Sequence, residues 1–123
     1  MYSQAAQAYQ KASKAASNPR ELEASLLMKA AARLQTLIDN WEPDQESLDD
    51  ALTYNRRLWT VLVTSATKLD NPLPEPIKQN MANLGLYVFK TSIGALAEPR
   101  PDKLKSLVSI NRNIAEGLRG RAA

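Results

Sequence analysis

The sequence predicts an all-α fold, a small bundle of about five helices in which chain neighbours run antiparallel. Apolar residues recur every three to four positions through most of the 123 residues, which places them on one face of a helix. No segment shows the strict alternation that is typical of a half-buried strand. The seven prolines fall mostly between the periodic segments, and such short connections favour antiparallel packing. We therefore expect one helical domain over residues 1–123.

The first predicted helix covers residues 2–17 and has the thinnest apolar face. That face is mostly alanine, and its members are Tyr2, Ala5, Ala6, Tyr9, Ala12 and Ala16. Because small side chains bury little area, this helix should contribute least to the core and detach most easily.

The second predicted helix begins at the SNPRE segment. Asn18 is a suitable N-cap, Pro19 suits the first helical position, and Glu21 completes a capping box. The helix should run to about Trp41 and end at Pro43. Its apolar face consists of Leu22, Leu26, Ala30, Leu34, Leu37, Ile38 and Trp41.

The third predicted helix opens with a capping box made by Ser47 and Asp50. It should end at the proline-rich segment DNPLPEP, residues 70–76, which favours an extended connector. Its apolar face consists of Leu48, Ala51, Leu52, Leu58, Trp59, Leu62, Ala66 and Leu69.

The fourth and fifth predicted helices complete the bundle. The fourth contains Gly85 and Gly94, each of which weakens a helix by up to about 1 kcal/mol unless another element packs closely against it. The fifth starts at Pro101, and Gly120 is suited to cap its end. The inward residues are Ile77, Met81, Leu84, Val88 and Ala95 in the fourth, and Leu104, Leu107, Val108, Ile114, Ala115 and Leu118 in the fifth.

Two asparagines interrupt the apolar faces of the third and fifth predicted helices. On a helical wheel of 100° per residue, Asn55 and Asn111 each lie at the centre of the apolar arc. A buried amide without a partner costs about 1–3 kcal/mol, so each should find hydrogen bonds. One hypothesis is that the two amides bond one another or a nearby backbone and fix the register. The alternatives are that they line a groove for a partner's backbone, or that each is a locally satisfied core residue.

The composition argues against catalysis. The chain contains neither histidine nor cysteine, so the usual general base and the commonest metal ligands are missing. No phosphate-binding glycine loop or nucleophile–base pair is present either. We therefore expect no enzymatic activity, no metal and no cofactor.

Charge and hydropathy limit the cellular location and the possible partners. No segment approaches the roughly 18–20 apolar residues that span a bilayer, and the N-terminus lacks the features of a signal peptide. A cytoplasmic protein is expected. The net charge is +3, and residues 99–123 hold six basic residues against two acidic ones. Such a basic end can contact nucleic acid or a membrane surface, but more often it is a solvated helix end.

Four segments follow one another along the chain: PRELEASLLMKAAARL (19–34), LDDALTYNRRLW (48–59), LPEPIKQNMANLGLYV (73–88) and LVSINRNIAEGL (107–118). Together they resemble the FlaF family, flagellar biosynthesis regulators of alphaproteobacteria. The resemblance implies a small helical cytoplasmic protein that couples flagellin synthesis to secretion as an export chaperone or adaptor. It also implies that the protein acts together with FlbT, a post-transcriptional regulator of flagellin messenger RNA.

From these two lines of reasoning we expect the protein to bind an amphipathic helix of flagellin in a groove between the third and fifth helices. Asn55 and Asn111 would supply hydrogen bonds, with Trp59 beside them and Arg56 and Arg112 at the rim. The helix over residues 2–17 would cover this groove until the client arrives. The alternative functions are direct binding of flagellin messenger RNA or action through FlbT alone. Residues 99–123 contain no aromatic side chain for base stacking, which argues against RNA.

Overall fold

The computed structural model describes residues 19–120, and within them the chain forms four helices and no strand. They are α1 (Pro19–Asp39), α2 (Gln45–Ala66), α3 (Glu75–Ala97) and α4 (Pro101–Leu118). The all-α prediction is confirmed, with four described helices where about five were predicted. The helix predicted over residues 2–17 and the proposed N-cap Asn18 lie outside the described residues.

Contacts between helix ends show that α1 and α4 run antiparallel. Arg119, which follows α4, donates from Nε to Glu21 Oε1 in the first turn of α1 over 3.0 Å. One or two turns further in, Asn111 of α4 reaches the Leu27 carbonyl of α1 at 3.4 Å. This pair makes the most extensive contact in the bundle.

The remaining neighbours are antiparallel as well. Lys78 Nζ in the first turn of α3 donates to the Lys68 carbonyl just after α2, over 2.9 Å. Tyr87 Oη in α3 and Ser106 Oγ in α4 are 2.7 Å apart. Each helix packs against the next, and α4 closes the ring on α1. Consequently α2 and α4 lie diagonally opposite one another, as do α1 and α3.

The core fills the space between the four helices with leucine-rich layers. A buried leucine or methionine contributes about 1.5–3 kcal/mol relative to exposure, so these layers supply most of the stabilising free energy. The largest fully buried apolar side chains are Leu27, Leu34, Leu48, Leu52, Leu58, Trp59, Leu62, Met81, Val88, Leu104 and Leu107. Trp41 is half-buried against the edge of this core.

The start of α2 differs from the prediction. Asp44, not Ser47, is the N-cap, and its Oδ1 accepts the Ser47 backbone N–H over 2.7 Å. The capping box predicted from Ser47 and Asp50 is therefore wrong. Asp44 caps the helix one turn earlier, because its backbone is extended and its carboxylate reaches the Ser47 backbone N–H. The bond from the Ser47 N–H also lowers the pKa of Asp44.

The ends of α1 and α2 come earlier than predicted. α1 ends at Asp39 and not at Trp41, and α2 ends at Ala66. Thr67 is the C-cap of α2, and its hydroxyl and its backbone N–H both donate to the Val63 carbonyl, at 2.8 and 3.0 Å. The prediction that Leu69 belongs to the inward face is wrong, because this side chain is fully exposed in the turn that follows.

Two glycines and an isoleucine in α3 allow the predicted packing and orientation of this helix to be compared with the structure. A Cβ on Gly85 would lie 2.8 Å from Val63 Cγ2, so α2 does pack closely there, whereas Gly94 has no such neighbour within 4 Å. Ile77, predicted to face inward, is 41% exposed. At the end of α4, Gly120 has φ +74°, a left-handed backbone that favours glycine after a helix, as predicted.

Candidate functional site

A hydrogen-bonded polar cluster occupies the centre of the core. Asn111 Oδ1 accepts the Trp59 indole N–H over 2.8 Å, and Asn111 Nδ2 donates to Asn55 Oδ1 over 2.6 Å. The same Nδ2 approaches the Leu27 carbonyl at 3.4 Å. Asn55, Trp59 and Asn111 are each 0% exposed. The cluster therefore links α4 to α2 across the diagonal of the bundle and touches α1 as well.

Hydrogen-bond chemistry fixes the orientation of both amides. The indole N–H of Trp59 can only donate, so the oxygen of Asn111 must face it. The nitrogen of Asn111 then faces Asn55, whose oxygen must be the nearer atom. Asn55 Nδ2 is left pointing elsewhere, and it has no hydrogen-bond partner among the described residues. Asn111 is thus the centre of the cluster, and Asn55 is satisfied only on its oxygen.

The hypothesis that the two asparagines bond one another is confirmed. The expected groove between the third and fifth predicted helices is not present in the described residues, because those helices, α2 and α4, are diagonal partners with the core between them. A partner-binding role for Asn55, Trp59 and Asn111 stays a prediction, and it would require the bundle to open.

The two arginines predicted at the groove rim lie on opposite corners of the bundle. Arg56, on α2, is half-buried, and Arg112, on α4, is exposed. Arg112 lines a shallow surface depression together with Lys105 and Glu116. Since α2 and α4 are diagonal, the structure does not bring Arg56 and Arg112 to one edge, and their role in binding a partner stays a prediction.

An open apolar groove lies between α3 and α4, at the end of the bundle where α1 begins. We call it the α3–α4 groove; its volume is about 430 Å³. Its apolar lining comes from the start of α3, from the second half of α4 and from the residue before Pro74, and consists of Leu73, Ile77, Met81, Leu84, Ile110, Ile114 and Leu118. Arg20, Asn80 and Asn113 add polar groups, and Gly117 forms part of the wall.

The groove exists because α3 and α4 make the least extensive contact among the neighbouring helices. Their side chains meet near Tyr87 and Ser106 and separate toward the other end. Sequence reasoning placed Ile77 and Ile114 on inward faces but missed the groove. The available signal was the width of the apolar arc on α4, where Ile110 and Ile114 extend beyond what one neighbouring helix covers.

The groove is lined mainly by aliphatic side chains, which suit an apolar ligand surface. Within residues 19–120 there is no group of three histidine, cysteine, aspartate or glutamate residues placed to hold a metal ion. None of the four described helices combines the length and apolar character needed to cross a membrane.

The described residues form a small antiparallel helical bundle with an open apolar groove on one side. A family model described as flagellar protein FlaF matches residues 5–118, which is most of the chain. The chain therefore belongs to the FlaF family of flagellar proteins. No curated protein and no solved structure matches it.

Proposed function

We propose that the protein is a non-enzymatic flagellin export chaperone or adaptor that couples flagellin synthesis to secretion during flagellum assembly. The observation that carries this proposal is the α3–α4 groove, found in a chain of a flagellar family. A cytoplasmic site of action follows from the proposal, because a client must be bound where it is synthesised.

The client segment would be an amphipathic helix from a flagellin terminus. The groove presents aliphatic side chains from two helices, with Ile77 already 41% exposed at its wall. Burial of such side chains by a client removes apolar surface from water at about 25 cal/mol per Å². The asparagines at the edge, Asn80 and Asn113, can bond polar groups of the client beside its apolar stripe.

Calorimetry with monomeric flagellin tests the proposal, with the variants Ile77→Gln and Ile93→Gln as a matched pair. Both isoleucines lie on α3 and are exposed, at 41% and 63%, but only Ile77 lines the groove. We expect Ile77→Gln to weaken binding about five- to tenfold, since roughly 1 kcal/mol of apolar burial is lost. Ile93→Gln should bind as the parent does. Equal loss in both variants would place the client elsewhere.

The alternative functions predict different results in the same experiment. Direct binding of flagellin messenger RNA would appear as an interaction with its 5′ untranslated region that falls steeply as salt increases. The exposed Lys105 and Arg112 of α4 would carry that interaction. No detectable binding to either flagellin or RNA would favour action through FlbT alone.

A further inference from the structure

We propose that residues 1–17 dock in the α3–α4 groove of the free protein and compete there with the client. The docking itself is independent of the proposed function, whereas the competition rests on it. Three observations support docking: where the chain enters α1, the spacing of apolar residues in the segment, and an unexplained glycine in the groove wall.

The described chain begins beside the open end of the groove. α1 starts at Pro19, and the next residue, Arg20, lines the groove together with Leu73 and Leu118. Pro19 itself lines an adjoining depression with Ser65 and Asn71. A short reversal of direction would bring the segment that precedes Pro19 into the groove. The family match begins at residue 5, so most of this segment belongs to the shared domain.

The apolar spacing of the segment matches the length of the groove. In the helix predicted over residues 2–17, Ala16, Ala12 and Tyr9 would share one face, and Ala16 to Tyr9 would span about 10 Å at 1.5 Å per residue. The α3 wall from Ile77 to Leu84 has the same seven-residue separation and therefore also spans about 10 Å. With Ala16 at the mouth, Tyr9 comes level with Leu84.

Gly117 is the third observation. It occupies a helical position in α4 and lines the groove, but a Cβ there would meet no atom within 4 Å. Its φ is not positive, so neither its backbone nor its described neighbours require glycine. Glycine lowers helix stability relative to other residues, yet it lets another backbone approach closely. An alanine-faced helix, with Ala16 beside Gly117, makes use of that close approach.

The docking is tested by paramagnetic NMR on the full chain, which has no cysteine of its own. A nitroxide on Lys11→Cys, on the polar side of the segment, should broaden the amide signals of Leu84 and Ile114. Tyr9→Asp should abolish this broadening. Gln7→Asp makes the same charge change on the opposite face and should preserve it. Broadening confined to α1 and α2, or broadening that survives Tyr9→Asp, would overturn the proposal.

A second pair of variants tests the role of the glycine. Gly117→Gln should reduce the broadening, because its side chain would obstruct the docked helix. Gly94→Gln, at a helical position with equal open space outside the groove, should leave it unchanged. Equal effects of the two variants would contradict close packing at Gly117. A mixture in which the nitroxide and the isotope label are on different chains identifies the occupant. Broadening in this mixture can arise only between two copies, so it would assign the groove to a second copy and overturn the intramolecular docking.

Competition is measured separately with monomeric flagellin. If the segment fills the groove about 90% of the time, Tyr9→Asp should tighten apparent client binding about tenfold, and Gln7→Asp should not change it. If NMR shows docking but Tyr9→Asp leaves the apparent affinity for flagellin unchanged, the competition is overturned and the docking stands. Failure of flagellin to bind any variant would count against the proposed function and leave the NMR test of docking intact.

Discussion

Replacing Asn111 with leucine should destabilise the bundle far more than the same change at Asn55. The two asparagines hold matching positions in the sequence pattern, so periodicity gives no reason to distinguish them. Their hydrogen bonds differ, however. Asn111 bonds both Trp59 and Asn55, whereas Asn55 uses only its oxygen.

The expected magnitudes follow from counting the groups left without a partner. Asn111→Leu orphans the Trp59 N–H and the Asn55 oxygen, and at about 1–3 kcal/mol each the loss in unfolding free energy should be about 4 kcal/mol. Asn55→Leu removes a buried nitrogen that already lacks a partner and leaves one N–H of Asn111 poorly bonded. The gain from removing the unpaired nitrogen and the loss from the weakened Asn111 bond nearly cancel. Asn55→Leu should therefore change the unfolding free energy by no more than about 1 kcal/mol.

Urea unfolding followed by far-UV circular dichroism measures both variants. With a slope of about 2 kcal/mol per molar urea, Asn111→Leu should lower the midpoint by about 2 M, and Asn55→Leu by less than about 0.5 M. The double variant leaves only the Trp59 N–H without a partner, so it should be more stable than Asn111→Leu alone. Equal losses in the two single variants would refute the assignment of Asn111 as the centre of the cluster.

Three further predictions concern the edges of the fold. Gly85→Ala should lower the unfolding free energy by about 1–2 kcal/mol, because its Cβ would overlap α2. Gly94→Ala should raise the unfolding free energy by up to about 1 kcal/mol. Thermal unfolding should therefore show a lower melting temperature for the first variant and a higher one for the second. Leu69→Ser should leave the melting temperature unchanged, while Leu62→Ala should cost about 2–5 kcal/mol, and a large loss at Leu69 would contradict its exposure. The pKa of Asp44 is lowered in the folded state, so its contribution to stability is complete above its unfolded pKa and is lost as the pH falls through its folded pKa. Asp44→Ala should therefore reduce the loss of stability at acidic pH. A profile of stability against pH that is the same in both proteins would argue against the cap.

The helices of the fold were predictable because their signals are local. Apolar residues at 3.6-residue spacing, proline at the first position of α1 and α4, and glycine after α4 all act within a few residues of one another. The predicted boundaries were wrong where two local signals compete. Asp44 and Ser47 are both good N-caps, and the earlier acid is the one that bonds. Leu69 continued the apolar pattern beyond the point where Thr67 ends α2.

Local sequence patterns were enough to predict that residues 19–120 are largely helical, that two asparagines point into the core, and that the residues resemble the family to which the chain belongs. Which helices are diagonal became known only from their packing. That arrangement joins Asn55, Trp59 and Asn111 across the centre of the bundle, and it leaves the open groove between α3 and α4. The physical reason is that periodicity fixes the face on which a side chain lies, whereas hydrogen-bond partners and grooves depend on the positions of other helices.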